Sequence, residues 1–208
     1  MNVGNIATGT SSPATPPRRK RNGKAGKITV QEFLKKYSQR EDGYKYEYQD
    51  GQVIKSSDTM NYAQLYILNN LTNFFYGLWA NNKVKGLFTT ELDTWFTASK
   101  MRRPDMCYLT PLQVYEADQG SKPVPAFVIE VISTNDTAEY YDDKLSVYFE
   151  QGVKVVWFIY PKSEKVQIYL HDESSTTCRG DMVCSAAPVL PAFALPAKDI
   201  FVKPEKPE

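Results

Sequence analysis

Two stretches, RRPDMCYL at residues 102–109 and AFVIEVIS at residues 126–133, each carry one carboxylate at or inside an otherwise apolar run. The acids are Asp105 and Glu130. Side chains alternate along a strand, so Val128, Glu130 and Ile132 share one face while Phe127, Ile129 and Val131 share the other. An ionised carboxylate left unpaired among such residues costs several kcal/mol. Glu130 therefore needs a cation, a hydrogen-bond cluster, or a proton held at raised pKa. Asp105 follows Pro104 at the entry to MCYL and faces the same demand. Two acids on adjacent strands offer oxygen ligands to a hard divalent cation such as Mg²⁺, which can polarise a phosphoryl oxygen and activate water. The plainer alternative is that Asp105 caps a turn and Glu130 pairs with Arg102 or Arg103.

Other chemistries have little to work with. The one histidine, His171, ends a predicted strand with no nucleophile motif near it, and any Ser-His or Cys-His mechanism would have to use that residue. No glycine-rich loop followed by Lys and Ser or Thr is present to cradle nucleotide phosphates. Cys107, Cys178 and Cys184 are too few for a disulfide framework or a structural zinc site. Cys178 and Cys184 can face each other across a hairpin, and two reduced thiols are expected there.

The elements that must position the acids are legible from caps, turns and periodicity. TVQE at residues 29–32 is a capping box and opens a short helix through Phe33, Leu34 and Tyr37. YKYEYQDGQVIKSS predicts a hairpin turning at Asp50-Gly51. Ala63, Ile67, Leu71, Phe74, Phe75 and Leu78 form the apolar stripe of a long helix. Gly86 restarts the chain, and LFTTELDTWFT to RRPDMCYL reads as two further strands. PVPAFVIEVIS reads as a central strand. A helix is expected from about Thr137 to Gln151, capped by Asp136 with Glu139 three residues on and closed by Gly152. KVVWFIY and VQIYL make two more strands around PKSEK. A final hairpin at Arg179-Gly180-Asp181 leads to APVLPAFALPAKDIF, which packs the C-terminus. The order predicts one α/β domain, a mixed β-sheet flanked by helices.

The chain has 208 residues, 42% hydrophobic, enough for one substantial core. Twenty-five Lys and Arg nearly balance 24 Asp and Glu, so no overall charge steers a partner. Residues 1–27 are the exception: Arg18, Arg19, Lys20, Arg21, Lys24 and Lys27 occur there without an acid, among Ser, Thr, Pro and Gly. That composition predicts a disordered basic tail before a domain at 28–208, and any non-specific attraction to nucleic acid begins in it. No apolar run approaches the ~20 residues of a membrane span, and no secretory apolar core is visible, so a cytoplasmic location is expected.

RRPDMCYL, then PAFVIEVISTNDTAEYYDDKLSVYFEQGVKVVWFIYP, then VLPAFALPAKDIF together resemble the bacterial family of putative restriction endonucleases in the PD-(D/E)XK nuclease superfamily. The matching positions are Pro104-Asp105, Glu130 to Ser133, Asp136-Thr137, Lys144, Tyr148, Gly152-Val153, Trp157 and Pro161. KYEYQDGQVIKSS also resembles the family's opening Glu and Asp-Gly hairpin, at Glu47, Asp50 and Gly51. The likeness spans roughly residues 28–202 and implies a restriction-endonuclease-like fold. It further implies that Asp105 and Glu130 are metal ligands for phosphodiester hydrolysis, with Glu47 an auxiliary acid. The chain departs from the pattern twice. Ile132 stands where the superfamily's nominal lysine lies, two residues after the Glu, and Asn61 stands where many members have a histidine.

The resemblance therefore implies a metal-dependent DNA endonuclease using Mg²⁺, with Mn²⁺ able to substitute. In it Asp105, Glu130 and Lys144 carry the catalysis, Lys144 supplying the ammonium from the next helix. Lys144 can otherwise be a solvated helix lysine beside Asp142 and Asp143. Cutting both strands of a duplex calls for two sites and hence a homodimer. The alternative from another class is a non-catalytic nucleic-acid-binding or interaction protein that retains the nuclease fold.

Overall fold

The structure is a computed structural model that describes residues 27–57, 62–133, 137–172 and 174–206. Residues 1–26 of the basic tail, Asn61 and Asp136 lie outside the described residues.

Helix α1 (Val30–Tyr37) opens on the expected capping box, with Thr29 accepting from the Glu32 N–H and the Glu32 carboxylate accepting from the Thr29 N–H at 2.7 Å. Strands β1 (Tyr44–Gln49) and β2 (Gln52–Ser57) form the predicted hairpin. Asp50 and Gly51 both take positive φ, 49° and 90°, as its two-residue turn demands. Helix α2 (Tyr62–Ala80) follows and buries Ile67, Leu71 and Phe75.

The stretch expected to hold two strands holds four: β3 (Leu87–Thr90), β4 (Thr94–Thr97), β5 (Lys100–Arg102) and β6 (Met106–Leu109). The chain bends at Glu91, in left-handed backbone with φ 54°, and again between β4 and β5, which pair antiparallel. Helix α3 (Pro111–Asp118) then starts at a second capping box, Thr110 with Gln113, and has Pro at its N-terminus.

Strand β7 (Phe127–Val131) is buried at all five positions. It pairs antiparallel with β6 and parallel with β8 (Val155–Tyr160). Parallel neighbours need a crossover, and helix α4 (Ala138–Glu150) supplies it. The N-cap of α4 is Thr137, whose side chain accepts from the Tyr140 N–H, rather than the expected Asp136. A short 3-10 turn, Pro161–Ser163, connects β8 to β9 (Lys165–Leu170), and β10 (Ser175–Arg179) pairs with β9.

The expected hairpin at Arg179-Gly180-Asp181 is instead a crossing between sheets. Strand β11 (Val183–Ala186) pairs with β12 (Leu190–Pro196), not with β10. A last short helix, α5 (Ala197–Ile200), follows. Cys107, Cys178 and Cys184 are buried free thiols. Among the described residues no helix is long and apolar enough to cross a membrane.

Three sheets result. The main one is mixed, in the order β10-β9-β8-β7-β6-β3; a second has the order β2-β1-β5-β4, and β11-β12 form the third. Strand alternation divides the core. Phe127, Ile129, Val131, Trp157 and Ile159 pack with α2 and the C-terminal segment, whereas Val128, Cys107, Val156 and Phe158 pack with Tyr141, Val147 and Tyr148 of α4. The outer aromatic face of β1, Tyr46 and Tyr48, packs with Phe33 and Met101. One mixed α/β domain with helices flanking its sheets follows from these layers.

Phe193 of β12 is fully buried, with ring centroids 5.3 Å from Phe74, 5.3 Å from Phe88 and 5.7 Å from Trp157. It bolts the C-terminal segment to α2 and the main sheet. Phe193→Ala should lower unfolding stability by about 3–5 kcal/mol, the usual cost of an excised core ring. Urea denaturation monitored by tryptophan fluorescence measures this, and a loss below ~1 kcal/mol would contradict the packing role.

Candidate active site

The antiparallel register of β6 and β7 pairs Met106 with Ile129 and Cys107 with Val128. One step further along that register sets Asp105 opposite Glu130, on the sheet face that α4 covers. Asp105 is fixed at one oxygen by the backbone: its Oδ2 accepts from the Val131 N–H at 2.7 Å. Its Oδ1 accepts from Lys45 Nζ at 3.0 Å.

Glu130 is met from the helix. Tyr141, Lys144 and Tyr148 recur at spacings of three and four, so they face the sheet together. Lys144 Nζ donates to Glu130 Oε1 at 3.0 Å, and the Tyr148 hydroxyl donates to the same oxygen. The third contributor is β1, where Lys45, Glu47 and Gln49 share the face opposite its tyrosines. Glu47 Oε1 lies 3.4 Å from Lys144 Nζ and accepts from the Arg103 N–H at 3.0 Å. Its Oε2 accepts from Arg102 Nη1 at 3.3 Å and from the Tyr140 hydroxyl at 3.0 Å. Arg102 Nη2 continues to Gln49 Oε1 at 2.8 Å and to Asp143 Oδ2 at 2.6 Å.

All four residues singled out in the sequence, Glu47, Asp105, Glu130 and Lys144, thus meet in one layer between two sheets and α4. Glu47, Glu130, Lys144 and Arg102 are only 1%, 3%, 3% and 0% exposed, so bulk water does not screen their interactions. The arrangement corrects two plainer expectations. Glu130 pairs with Lys144, while Arg102 serves Glu47 and Asp143 and the Arg103 side chain reaches Asp93 at 2.6 Å. Lys144 is an interior lysine, not a solvated one. Lys45 was not apparent from the sequence. Its signal is Lys-x-Glu on one face of YKYEYQ, a face that the alternation alone assigns to solvent.

Burial sets the proton affinities, and the neighbours decide the outcome. Burial pushes Glu47 up, but Lys144, Lys45, Arg102 and the Arg103 N–H outweigh it and hold the carboxyl at about 2. Glu130 is raised above its ordinary range because burial, with Asp105 and Glu47 adding to it, outweighs the pull of Lys144 and Lys45. Lys144 is raised well above its ordinary value: the attraction of Glu130 and Glu47 exceeds the burial that opposes its charge. Burial and the Glu130 charge push the neighbouring Cys107 thiol up to about 12, which keeps it protonated and inert at neutral pH.

Among the described residues no group of three or more His, Cys, Asp or Glu side chains is arranged to hold a metal ion. The pair Asp105 and Glu130 still suits one class of cation. Mg²⁺ is commonly held by one or two carboxylates, with waters and substrate phosphate oxygens completing the shell. The hard oxygen donors match that ion; Glu130 is positioned by strand β7 and Asp105 by its bond from the Val131 N–H.

A mixed sheet with one parallel pair and an α4 crossover defines a mixed α/β domain, with a carboxylate–ammonium layer over the end of β7. The family model of Uma2, described as putative restriction endonuclease, matches residues 30–198, and the chain belongs to that family. A solved structure from Anabaena variabilis, described as a putative nuclease belonging to DUF820, is similar with a TM-score of 0.69 and 18% identity, covering 84% of this chain and 97% of that one. That likeness is one of fold. No curated protein matches the chain.

The low pKa of Glu47 makes a pH prediction. The folded chain keeps this group ionised where the unfolded chain, near 4.5, takes up a proton. Its contribution is complete above pH ~4.5 and is lost as pH falls from there through about 2. The shift corresponds to on the order of 3 kcal/mol. Glu47→Gln should be less stable than wild type by about 3–5 kcal/mol at pH 7, because Arg102 and Lys144 lose a buried partner. The gap should narrow between pH 5 and pH 2 in urea titrations. Glu130 contributes with the opposite sign, and because Glu47 helps raise it, its contribution is smaller in Glu47→Gln; the narrowing of the gap toward pH 2 is the signature of Glu47. Parallel curves for the two proteins would refute the assignment.

Proposed function

We propose that the protein is a divalent-metal-dependent endonuclease that hydrolyses phosphodiester bonds in DNA. The observation that carries the reading is the meeting of Asp105, held just before β6 by the Val131 N–H, with Glu130 of the neighbouring strand β7, two ammonium groups lying within bonding distance of their oxygens. Membership of a family described as putative restriction endonucleases supports it. Asp105 and Glu130 are the residues that would hold Mg²⁺, or Mn²⁺ in its place. When bound, such a cation polarises a phosphoryl oxygen and makes water acidic enough to attack. The remaining work falls to the chain. Lys144 orients the attacking water and offsets the charge that gathers on the pentavalent phosphate. Tyr148 and Lys144 hold Glu130 in one rotamer, and Glu47 with Arg102 fixes Lys144 from the far side. A duplex cut on both strands needs two such sites, which a homodimer supplies. Three free cysteines agree with a reducing, cytoplasmic setting.

A second reading also has an observation in its favour. Every acid of the layer is already met by a cation, and Ile132 occupies the nominal lysine position. On that reading the chain is a non-catalytic nucleic-acid-binding or interaction protein that keeps the nuclease fold.

Supercoiled plasmid incubated with the full chain separates the two. With millimolar Mg²⁺ or Mn²⁺ the wild type should nick, chelator should stop it, and Asp105→Ala, Glu130→Gln and Lys144→Met should each lower the rate by roughly 10²-fold or more. Wild type and Asp105→Ala that leave plasmid equally intact, with neither binding the metal by calorimetry, would select the second reading.

A further inference from the structure

Both oxygens of Asp105 already accept a hydrogen bond, one from the backbone and one from an ammonium. Its Oδ2 is committed to the Val131 N–H, and its Oδ1 is covered by Lys45 Nζ at 3.0 Å. A cation that uses Asp105 through Oδ1 must therefore meet the Lys45 ammonium on the way. Lys45 has a second acid within reach, since Glu91 Oε1 lies 3.6 Å from the same Nζ. The two acids differ in setting. The Asp105 side chain is 16% exposed, and that of Glu91, at the bend between β3 and β4, is 34% exposed and so nearer the rim. Glu91 is also held in left-handed backbone, φ 54°, a conformation that carries a cost for a residue with a Cβ. The bend thereby sets a carboxylate beside an ammonium that already has a partner.

We propose that Lys45 is the resident counter-cation of the metal-free site, and that it passes from Asp105 to Glu91 when a divalent cation binds Asp105. This rests on the metal-dependent reading above. Lys45 is a positioning residue in this scheme: it keeps Asp105 neutralised and in place when the metal is absent, and stays in the layer as a positive charge after exchange. Two positive charges so close repel even at the high effective dielectric of a partly wet site, so Lys45 lowers metal affinity while Glu91 relieves the repulsion.

Calorimetric titration of Mn²⁺ into the full chain tests this, using wild type, Lys45→Met, Lys45→Arg, Glu91→Gln, Asp105→Ala and the Lys45→Met/Glu91→Gln pair. Lys45→Met should bind Mn²⁺ about tenfold tighter than wild type. Its metal-free melting temperature should be lower, because Asp105 loses its partner. Lys45→Arg, which keeps the charge, should stay close to wild type in affinity. Glu91→Gln should weaken binding severalfold, and the same change should have a smaller effect in the Lys45→Met background, since Glu91 acts through Lys45. Equal affinity in wild type and Lys45→Met, with binding still abolished by Asp105→Ala, would overturn the exchange while leaving the metal-dependent reading intact. Absence of binding in every variant would remove that reading and the exchange together. If Lys45→Met does not fold, Glu91→Gln decides, and an affinity equal to wild type overturns the proposal.

Discussion

A carboxylate on a strand buried on both faces must find its counter-charge inside the protein, and the Glu130–Lys144 pair is the contact on which the arrangement of α4 depends. Lys144 sits on the same helical stripe as Tyr141 and Tyr148, so bringing its ammonium to Glu130 also turns those rings toward Val128 and Phe158. Lys144 then lies within 3.4 Å of Glu47, and Glu47 holds Arg102, which closes on Asp143 of the same helix. Helix, main sheet and second sheet are joined through this chain of contacts. Removing one member exposes an uncompensated charge in its neighbours, so the layer stands or falls as a unit.

Such a layer is not an efficient way to stabilise a fold. Replacing a buried ion pair by apolar residues of similar volume is often neutral or favourable, because desolvation offsets most of the attraction. The apolar surroundings here, Val128, Cys107, Val156 and Phe158, would accept such a replacement on chemical grounds. The charges of the inner layer balance: Lys45, Arg102 and Lys144 meet Glu47, Asp105 and Glu130, while Asp143 and Glu91, 42% and 34% exposed, add negative charge only at its edge.

The elements bearing Asp105, Glu130 and Lys144 were legible because their signals are local. FVIEV and VVWFIY are too short and too β-branched to be helices, and Gly152 ends α4 with φ 93°. Other parts were hidden for identifiable reasons. The Thr110–Gln113 capping box that opens α3 is the same motif as at Thr29, but its helix buries nothing and so shows no apolar stripe. The β4 and β5 strands are four and three residues long, below the length at which alternation can be recognised. The Arg179-Gly180-Asp181 turn has hairpin chemistry, yet tertiary pairing sends its flanking strands to different sheets. Lys45 was missed because YKYEYQ alternates as a half-exposed strand does. Only a second layer, which no local pattern encodes, turns its polar face inward.

Ile132 gives the last of these lessons its chemical content. A lysine two residues after Glu130 would bring its ammonium along the strand, and the charge would then say nothing about the helix. In this chain the Ile132 side chain packs against the apolar cluster under α4, and ammonium groups arrive from α4 and β1 instead. What a phosphate or a carboxylate experiences is the position of the charge, not the register of the Cα that carries it. A lysine on α4 reaches Glu130 only while the helix is docked, and one on β1 reaches Asp105 only while the second sheet is in place. Moving the charge off the main strand therefore makes assembly of the three layers a condition for assembling the site.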